Sequence, residues 1–419
     1  MSTPQLQSAF KRNILGVMIA YLAAIALGVI AGVWQEPYVM TAAHFISTVF
    51  IRLFKFLSIP IICVSIITSL STLSQNKEGG KIFKHTIFYT LLTTILAATL
   101  AAALYIIMRP ANVSVSNVTS ETVHKIASVS YLDYLQNIVP DNFVTPFQTA
   151  NVLSVLLIAA SVGIAISRLP NGDSQDLMIR FFSALQKVLF ELVNWLILVL
   201  PVGIFGFVAV LAQEVSHGMD LGGLGTYFAI VIAANLLQMF VILPAFLLIK
   251  GLNPIKVAKG MFPALTLAFF SKSSAATLPL TISSAENNLH VNPKVAEFVL
   301  PMCTTINMNG CAAFIFLTVI YLMQNAGIAI TPGVIFAWIF IATLAAVGNA
   351  GVPMGCFFLS ASLLASMNVP ILLMGVILPF YAVVDMIETT LNVWSDSSVA
   401  AAVNKDMKFP APHQIGSAS

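Results

Sequence analysis

Apolar runs long enough to cross a lipid bilayer dominate this chain, and they leave very few folds open to it. Of the runs at 14–33, 82–108, 152–166, 228–249 and 335–347, the first, second and fourth reach the roughly 18–20 residues that traverse about 30 Å of hydrocarbon as a helix, and the other two are shorter. Inside hydrocarbon every backbone polar group needs an internal partner, so such segments become helices rather than irregular chain. Charged residues make up only 8% of the sequence against 58% hydrophobic, where a soluble domain carries roughly 25% charge. The expected class is therefore all-α and polytopic, with the lipid bilayer as its main partner. A net charge of +3 offers nothing to nucleic acid. The first run reads as a mature helix rather than a cleaved leader, because more apolar segments follow and no small-residue cleavage site is evident. Cys63, Cys303, Cys311 and Cys356 sit in apolar context without CxxC or Cys/His metal spacing, and they read as buried free thiols.

Lys and Arg gather in alternate polar breaks, around residues 11–12, 77–84, 168–187 and 250–259. That bias assigns those breaks to the cytoplasmic side. The breaks near Glu36, across 121–141 and at 214–220 are mixed or acidic and fall on the opposite side. Expected spans are 13–33, 39–74, 82–108, 146–167, 180–212 and 223–250, with 111–145 as an external loop and the longest spans tilted or partly interfacial.

Beyond Gly251 the pattern changes. Short apolar segments are interrupted by polar, small-residue clusters: Ser271-Lys272-Ser273-Ser274 after one segment, and Gly348-Asn349-Ala350-Gly351-Val352-Pro353 after another. Neither half-segment makes a comfortable full crossing, whereas a helical hairpin that enters and leaves by one face accommodates a polar tip. Paired interruptions of this kind point to a transporter's binding site. The plainer alternative is Gly/Pro kinks in ordinary packed helices.

Between them, Thr304-Thr305-Ile306-Asn307-Met308-Asn309-Gly310 breaks an otherwise apolar helix. Its amide and carbonyl oxygens suit a hard cation such as Na⁺, with interhelical packing as the competing reading. The last apolar segment carries Asp385, Glu388, Thr389, Asn392 and Asp396, whose spacing gathers them within about 100° of a helical wheel. A carboxylate near the bilayer midplane costs roughly 2.5–3.5 kcal/mol on insertion scales, so such residues are functional candidates. Enzyme motifs are missing: there is no HExxH, GxSxG or P-loop, and no organic cofactor is expected. An ion channel is the alternative of another class, since a polar stripe could serve either purpose.

These motifs, together with Asn137-Ile138-Val139-Pro140 and Pro201-Val202-Gly203-Ile204-Phe205, resemble the dicarboxylate/amino acid:cation symporter family, which includes glutamate and aspartate transporters. The resemblance covers essentially the whole chain. It implies eight transmembrane helices plus two re-entrant hairpins, at about 255–287 and 331–367, in a homotrimer with elevator-type alternating access. Residues 1–250 would form a largely scaffold half with some helices lent to the transport domain, 251–405 the transport core, and 406–419 a cytoplasmic tail. The protein would lie in the cell inner (plasma) membrane with both termini cytoplasmic.

By the same carry-over, Ser273, Ser274, Gly351 and Val352 would hold a substrate carboxylate. Asp385 would take its ammonium, Asn392 its main-chain end, and Cys311, Glu388 and Thr389 would complete the substrate set. One Na⁺ site would use Asp396 with carbonyls near Cys303, Asn307 and Asn392; a second would use Thr305, Ala346, Val347 and Asn349. A third resembles Tyr89, Thr93, Thr94 and Asn307, but Asn309 stands where the family has aspartate. That departure removes a full negative charge and leaves the third site and the stoichiometry open, with H⁺ as a possible coupling ion in place of Na⁺. Acidic-substrate members have Arg where this chain has Glu388 and Thr where it has Cys311. A guanidinium pairs with a side-chain carboxylate, whereas a glutamate repels one. The site motifs therefore look most like the family's serine/threonine branch, ahead of a cationic substrate and then of glutamate or a dicarboxylate.

Overall fold

The computed structural model describes residues 3–72, 80–113, 139–149, 152–170, 172–217, 222–347, 349, 354–367, 369–370 and 372–407. All regular structure among them is helical. In chain order the helices are α1 (Thr3–Trp34), α2 (Pro37–Thr72), α3 (Gly80–Met108), the single turn α4 (Thr145–Gln148), α5 (Val152–Arg168), α6 (Asp173–Leu198), α7 (Leu200–Ser216) and α8 (Gly222–Leu237). A π-helical turn at Gln238–Ile242 leads into α9 (Leu243–Ile249). There follow α10 (Pro254–Ser271), α11 (Ser274–Leu289), α12 (Pro293–Ile306), α13 (Asn309–Asn325), α14 (Pro332–Val347), α15 (Gly355–Ser366) and α16 (Leu372–Met407).

Among the described residues four stretches are long and apolar enough to cross a membrane: Gly80–Met108, Gly222–Ile249, Pro293–Asn325 and Leu373–Met407. Shorter apolar helices such as Leu200–Ser216 and Pro332–Val347 accompany them. Large apolar side chains on the outside, among them Leu22, Val33, Phe45, Phe88, Ile107 and Phe336, meet lipid at no cost, so the exposed apolar surface fits a multi-pass membrane protein.

One expected span is corrected. The stretch 180–212 is two helices, α6 and α7, parted at Val199. Pro201 has no N–H to donate and favours the first turn of a helix, and here it starts α7. The helix before the break is amphipathic, with Asp173 and Asp176 in its first turn where the helix dipole favours negative charge. Most of the expected external loop, residues 114–138, lies outside the described residues.

Helices α1, α2, α5, α6 and α7 pack mainly with one another, whereas α3, α8, α9 and the helices from α10 onward form a second group. At the centre of the second group, residues 309–323 of α13 are buried on every side. Apolar burial alone gives no preference for protein over lipid, so close packing and interhelical hydrogen bonds must hold such a helix in place. Tyr227 illustrates both: its hydroxyl shares a 2.7 Å hydrogen bond with Thr318, and its ring stacks on Tyr321 with centroids 4.9 Å apart. At one end of the group, Lys250 pairs with Asp406 at 2.8 Å, Tyr89 donates to the same carboxylate, and Lys405 donates to the Gly251 carbonyl at 2.7 Å. That cluster ties α3, α9 and α16 together.

Helices α10 and α11 form a hairpin, close to the expected 255–287. Lys272 turns the chain with φ 54°, Ser273 caps α11 by accepting from the Ala276 amide at 3.2 Å, and the open ends meet where Asn288 donates to the Gly260 carbonyl at 2.7 Å. The second expected hairpin corresponds to α14 and α15, both packed on α13.

Candidate functional site

Two interruptions in helical backbone and one polar helix face build the site. Asn307 and Met308 leave helical geometry, with φ/ψ of −101°/69° and −106°/68°, so α12 and α13 are two pieces of one broken rod. A helix end leaves backbone carbonyls and amides without intrahelical partners. Here α16 supplies part of the answer: the Gly310 amide donates to Asn392 Oδ1 at 2.9 Å. A Cβ at Gly310 would lie 2.9 Å from Cα and Cβ of Glu388, so only glycine allows this approach of α13 to α16.

The expected stripe is real and faces inward. Asp385, Glu388, Thr389, Asn392 and Asp396 are all at most 6% exposed. Asp396 accepts from Asn307 Nδ2 at 2.9 Å, which also donates to Ser395 Oγ at 2.9 Å. Asn309 donates to the same serine. Thr93 Oγ1 lies 3.1 Å from Asn307 Oδ1 and 2.9 Å from the Tyr89 carbonyl, while Thr94 Oγ1 donates to the Thr90 carbonyl at 2.8 Å. Oxygen-rich and buried, this cluster presents the hard ligands that Na⁺ prefers over softer donors. Buried Asn309 Oδ1 has no protein partner.

A small cavity lies beside Asn392, bordered by Lys272, Ser274, Met308, Asp385, Glu388 and Thr389 among others. Glu388 accepts from the Tyr381 hydroxyl at 3.0 Å through Oε2, while its Oε1 and Asp385 Oδ2 are buried without protein partners. Leaving charged or polar oxygens buried and unpaired is costly, and polar atoms of this kind lining a small cavity are what a ligand would satisfy.

Most sequence-derived candidates converge on these two neighbouring sites. Ser274, Cys311, Asn349, Asp385, Glu388, Thr389 and Asn392 line the cavity. Ser273 sits at the hairpin tip as a helix cap. The Cys303 carbonyl accepts from the Asn307 amide at 2.8 Å, Thr305 Oγ1 donates to the Met302 carbonyl at 2.8 Å, and the Ala346 carbonyl accepts from the Asn349 amide at 3.0 Å. Val347 ends α14. Gly351 and Val352 lie outside the described residues. The Tyr89 side chain points instead to Asp406 and Lys250; only its carbonyl adjoins Thr93.

The reading of four free thiols is corrected. Cys311 and Cys356 are joined sulfur to sulfur, and Asn349 Nδ2 lies 2.9 Å from Cys311 Sγ and 3.4 Å from Cys356 Sγ. Cys63 and Cys303 remain free and buried. The fold brings together two helix starts 45 residues apart, and no spacing motif marks such a pair.

Sequence reasoning also missed Tyr381, Ser395, Cys356 and Gln238. Gln238, which donates to the Thr93 carbonyl at 3.1 Å, opens a π-helical turn, a feature frequent at functional sites. Asn235 and Gln238 within the apolar run 228–249 were the available signal.

The sodium:dicarboxylate symporter family model matches residues 17–406. Among similar proteins, neutral amino acid transporter B(0) of Bos taurus is 27% identical over 94% of this chain and 80% of its own length. Neutral amino acid transporter A of Bos taurus is 27% identical over 85% of this chain and 75% of its own, and excitatory amino acid transporter 3 of Mus musculus is 25% identical over 93% and 85%. These are transporters rather than enzymes. With the broken helix, the polar stripe and a family match over nearly its whole length, this chain belongs to the sodium:dicarboxylate symporter family.

Proposed function

We propose that the protein is a secondary active symporter that imports a small neutral amino acid, serine or threonine, driven by Na⁺. The observation that carries the substrate choice is Glu388. It is 1% exposed, it lies on one helix face between Asp385 and Asn392, and one of its oxygens has no protein partner. Asp385 takes the substrate ammonium in a charge-assisted hydrogen bond. Ser273, Ser274, Gly351 and Val352 hold the carboxylate, while Asn392, Thr389 and Cys311 complete the contacts. Glu388 meets the side-chain end, where a carboxylate accepts from a hydroxyl and repels aspartate or glutamate. Neutral amino acid transporters among the relatives support this reading. Lys272 on the cavity wall favours the second reading, an acidic substrate.

Na⁺ occupies the Asp396 site with Cys303, Asn307 and Asn392, and a second site with Thr305, Ala346, Val347 and Asn349. Tyr89, Thr93, Thr94 and Asn309 mark the third position, where the missing aspartate weakens cation binding. Within the same reading the protein is a homotrimer in the plasma membrane with both termini cytoplasmic, and residues 251–405 move as the transport core against a scaffold drawn from 1–250.

Competition between serine, threonine, aspartate and lysine in proteoliposomes tests the assignment. Serine and threonine should compete best in the wild type. Glu388→Gln should retain neutral transport with altered pH dependence, and Glu388→Arg should lose serine. Wild-type preference for aspartate over serine would overturn the substrate class, and unitary conductance without saturable uptake would replace the symporter with a channel.

A further inference from the structure

We propose that Cys311, Cys356 and Glu388, once the two cysteines are reduced, form a binding site for a thiophilic divalent cation such as Zn²⁺, whose occupancy excludes the organic solute. The three side chains come from the first turn of α13, the first turn of α15 and the middle of α16. One ligand atom from each lies within 4.8 Å of the others, and none of the three residues is more than 2% exposed. Glu388 Oε1, fully buried and without a protein partner, is the second, independent sign that this cluster awaits a ligand.

Ligand chemistry separates this site from the sodium cluster. Thiolates select soft or borderline cations and are poor ligands for Na⁺, whereas the polar groups around Asp396 are oxygens and amides. Two thiolates and one carboxylate supply three of the four tetrahedral positions that Zn²⁺ prefers, with water for the fourth. Zinc–sulfur bonds near 2.3 Å require the two sulfurs to part from each other, as opening the bond between them allows. Binding releases two protons, one from each thiol, and moves no electrons. The three anionic ligands and the dication leave one net negative charge, in a cavity whose wall also carries Lys272 and Asp385. Asn349, in contact with both sulfurs, orients the pair.

Joined to each other, the sulfurs are not available to a metal. Opening the bond with a phosphine consumes one phosphine and one water and yields two thiols and one phosphine oxide. The site therefore exists only in the reduced protein. Its metal would sit against Glu388, which the symporter reading places at the substrate side chain, so metal and solute exclude each other.

The direct test uses Cd²⁺ on the purified full-length protein in detergent. After phosphine reduction, wild type should develop the near-ultraviolet charge-transfer band of cadmium thiolate at one equivalent, and Cys356→Ser should lose it. Reoxidising the wild type should also abolish the band, which keeps the test decisive even where a variant folds poorly. No band in the reduced wild type, or an undiminished band in Cys356→Ser, would overturn the site. This measurement assumes nothing about the solute, so it stands apart from the symporter reading. In reduced proteoliposomes Zn²⁺ should then inhibit uptake reversibly on chelation, and oxidised protein should be insensitive. Equal inhibition of both forms would refute the exclusion of solute.

Discussion

Asp385 and Glu388 stand one helical turn apart on α16, and each keeps one buried oxygen without a protein partner. Lys272 lines the cavity that both border, and the Tyr381 hydroxyl donates to Glu388. On the proposed reading, Asp385→Asn leaves a substrate ammonium without its full counter-charge at a buried position. Removing one partner of a buried ion pair costs about 3–5 kcal/mol, which corresponds to a loss of at least about a hundredfold in affinity. Calorimetric titration with serine in saturating Na⁺ measures this directly, and affinity within a few-fold of wild type would show that Asp385 has another role.

At the scale of elements, the decisive feature is the close approach of the α12/α13 break to α16. Gly310 makes it sterically possible and Asn392 makes it polar. In Gly310→Ala the added methyl meets Glu388 at 2.9 Å, and overpacking of this kind costs about 1–3 kcal/mol. Relief requires α16 to move outward, which breaks the bond from the Gly310 amide to Asn392. We expect this variant to elute as a folded, monodisperse protein with strongly reduced uptake and a lowered melting temperature. Uptake kinetics equal to wild type would mean that the spacing of these helices does not set the site.

Across the whole molecule, the polar cluster around Asp396 and the cavity adjoin the same backbone break, so on the proposed reading Na⁺ and solute binding should be coupled. Coupling of binding free energies is reciprocal: if Na⁺ raises serine affinity by some factor, serine raises Na⁺ affinity by the same factor. Asp396→Asn removes the carboxylate that Asn307 grips at 2.9 Å, and it should flatten the dependence of serine affinity on Na⁺ concentration while leaving some residual binding at high Na⁺. Paired titrations, serine at varied Na⁺ and Na⁺ at varied serine, read both sides of the linkage. A Na⁺ dependence unchanged from wild type would remove Asp396 from the cation site.

Membrane class, helical composition and the inward polar face of α16 were legible in the chain itself, because hydropathy and a 3.6-residue period are local properties that a bilayer turns into structure. The polar tips at Ser271–Ser274 and the Asn307 break were legible for the same reason: polar residues at membrane depth need an explanation wherever the chain folds. The division of 180–212 was harder to see, since Pro201 is compatible with either a kink or a new helix start, and packing decided between them. Only tertiary structure could bring Cys311 to Cys356 and Gln238 to the Thr93 carbonyl. Such contacts depend on how rods pack rather than on what any rod contains, and no periodicity encodes which buried atoms end up facing each other.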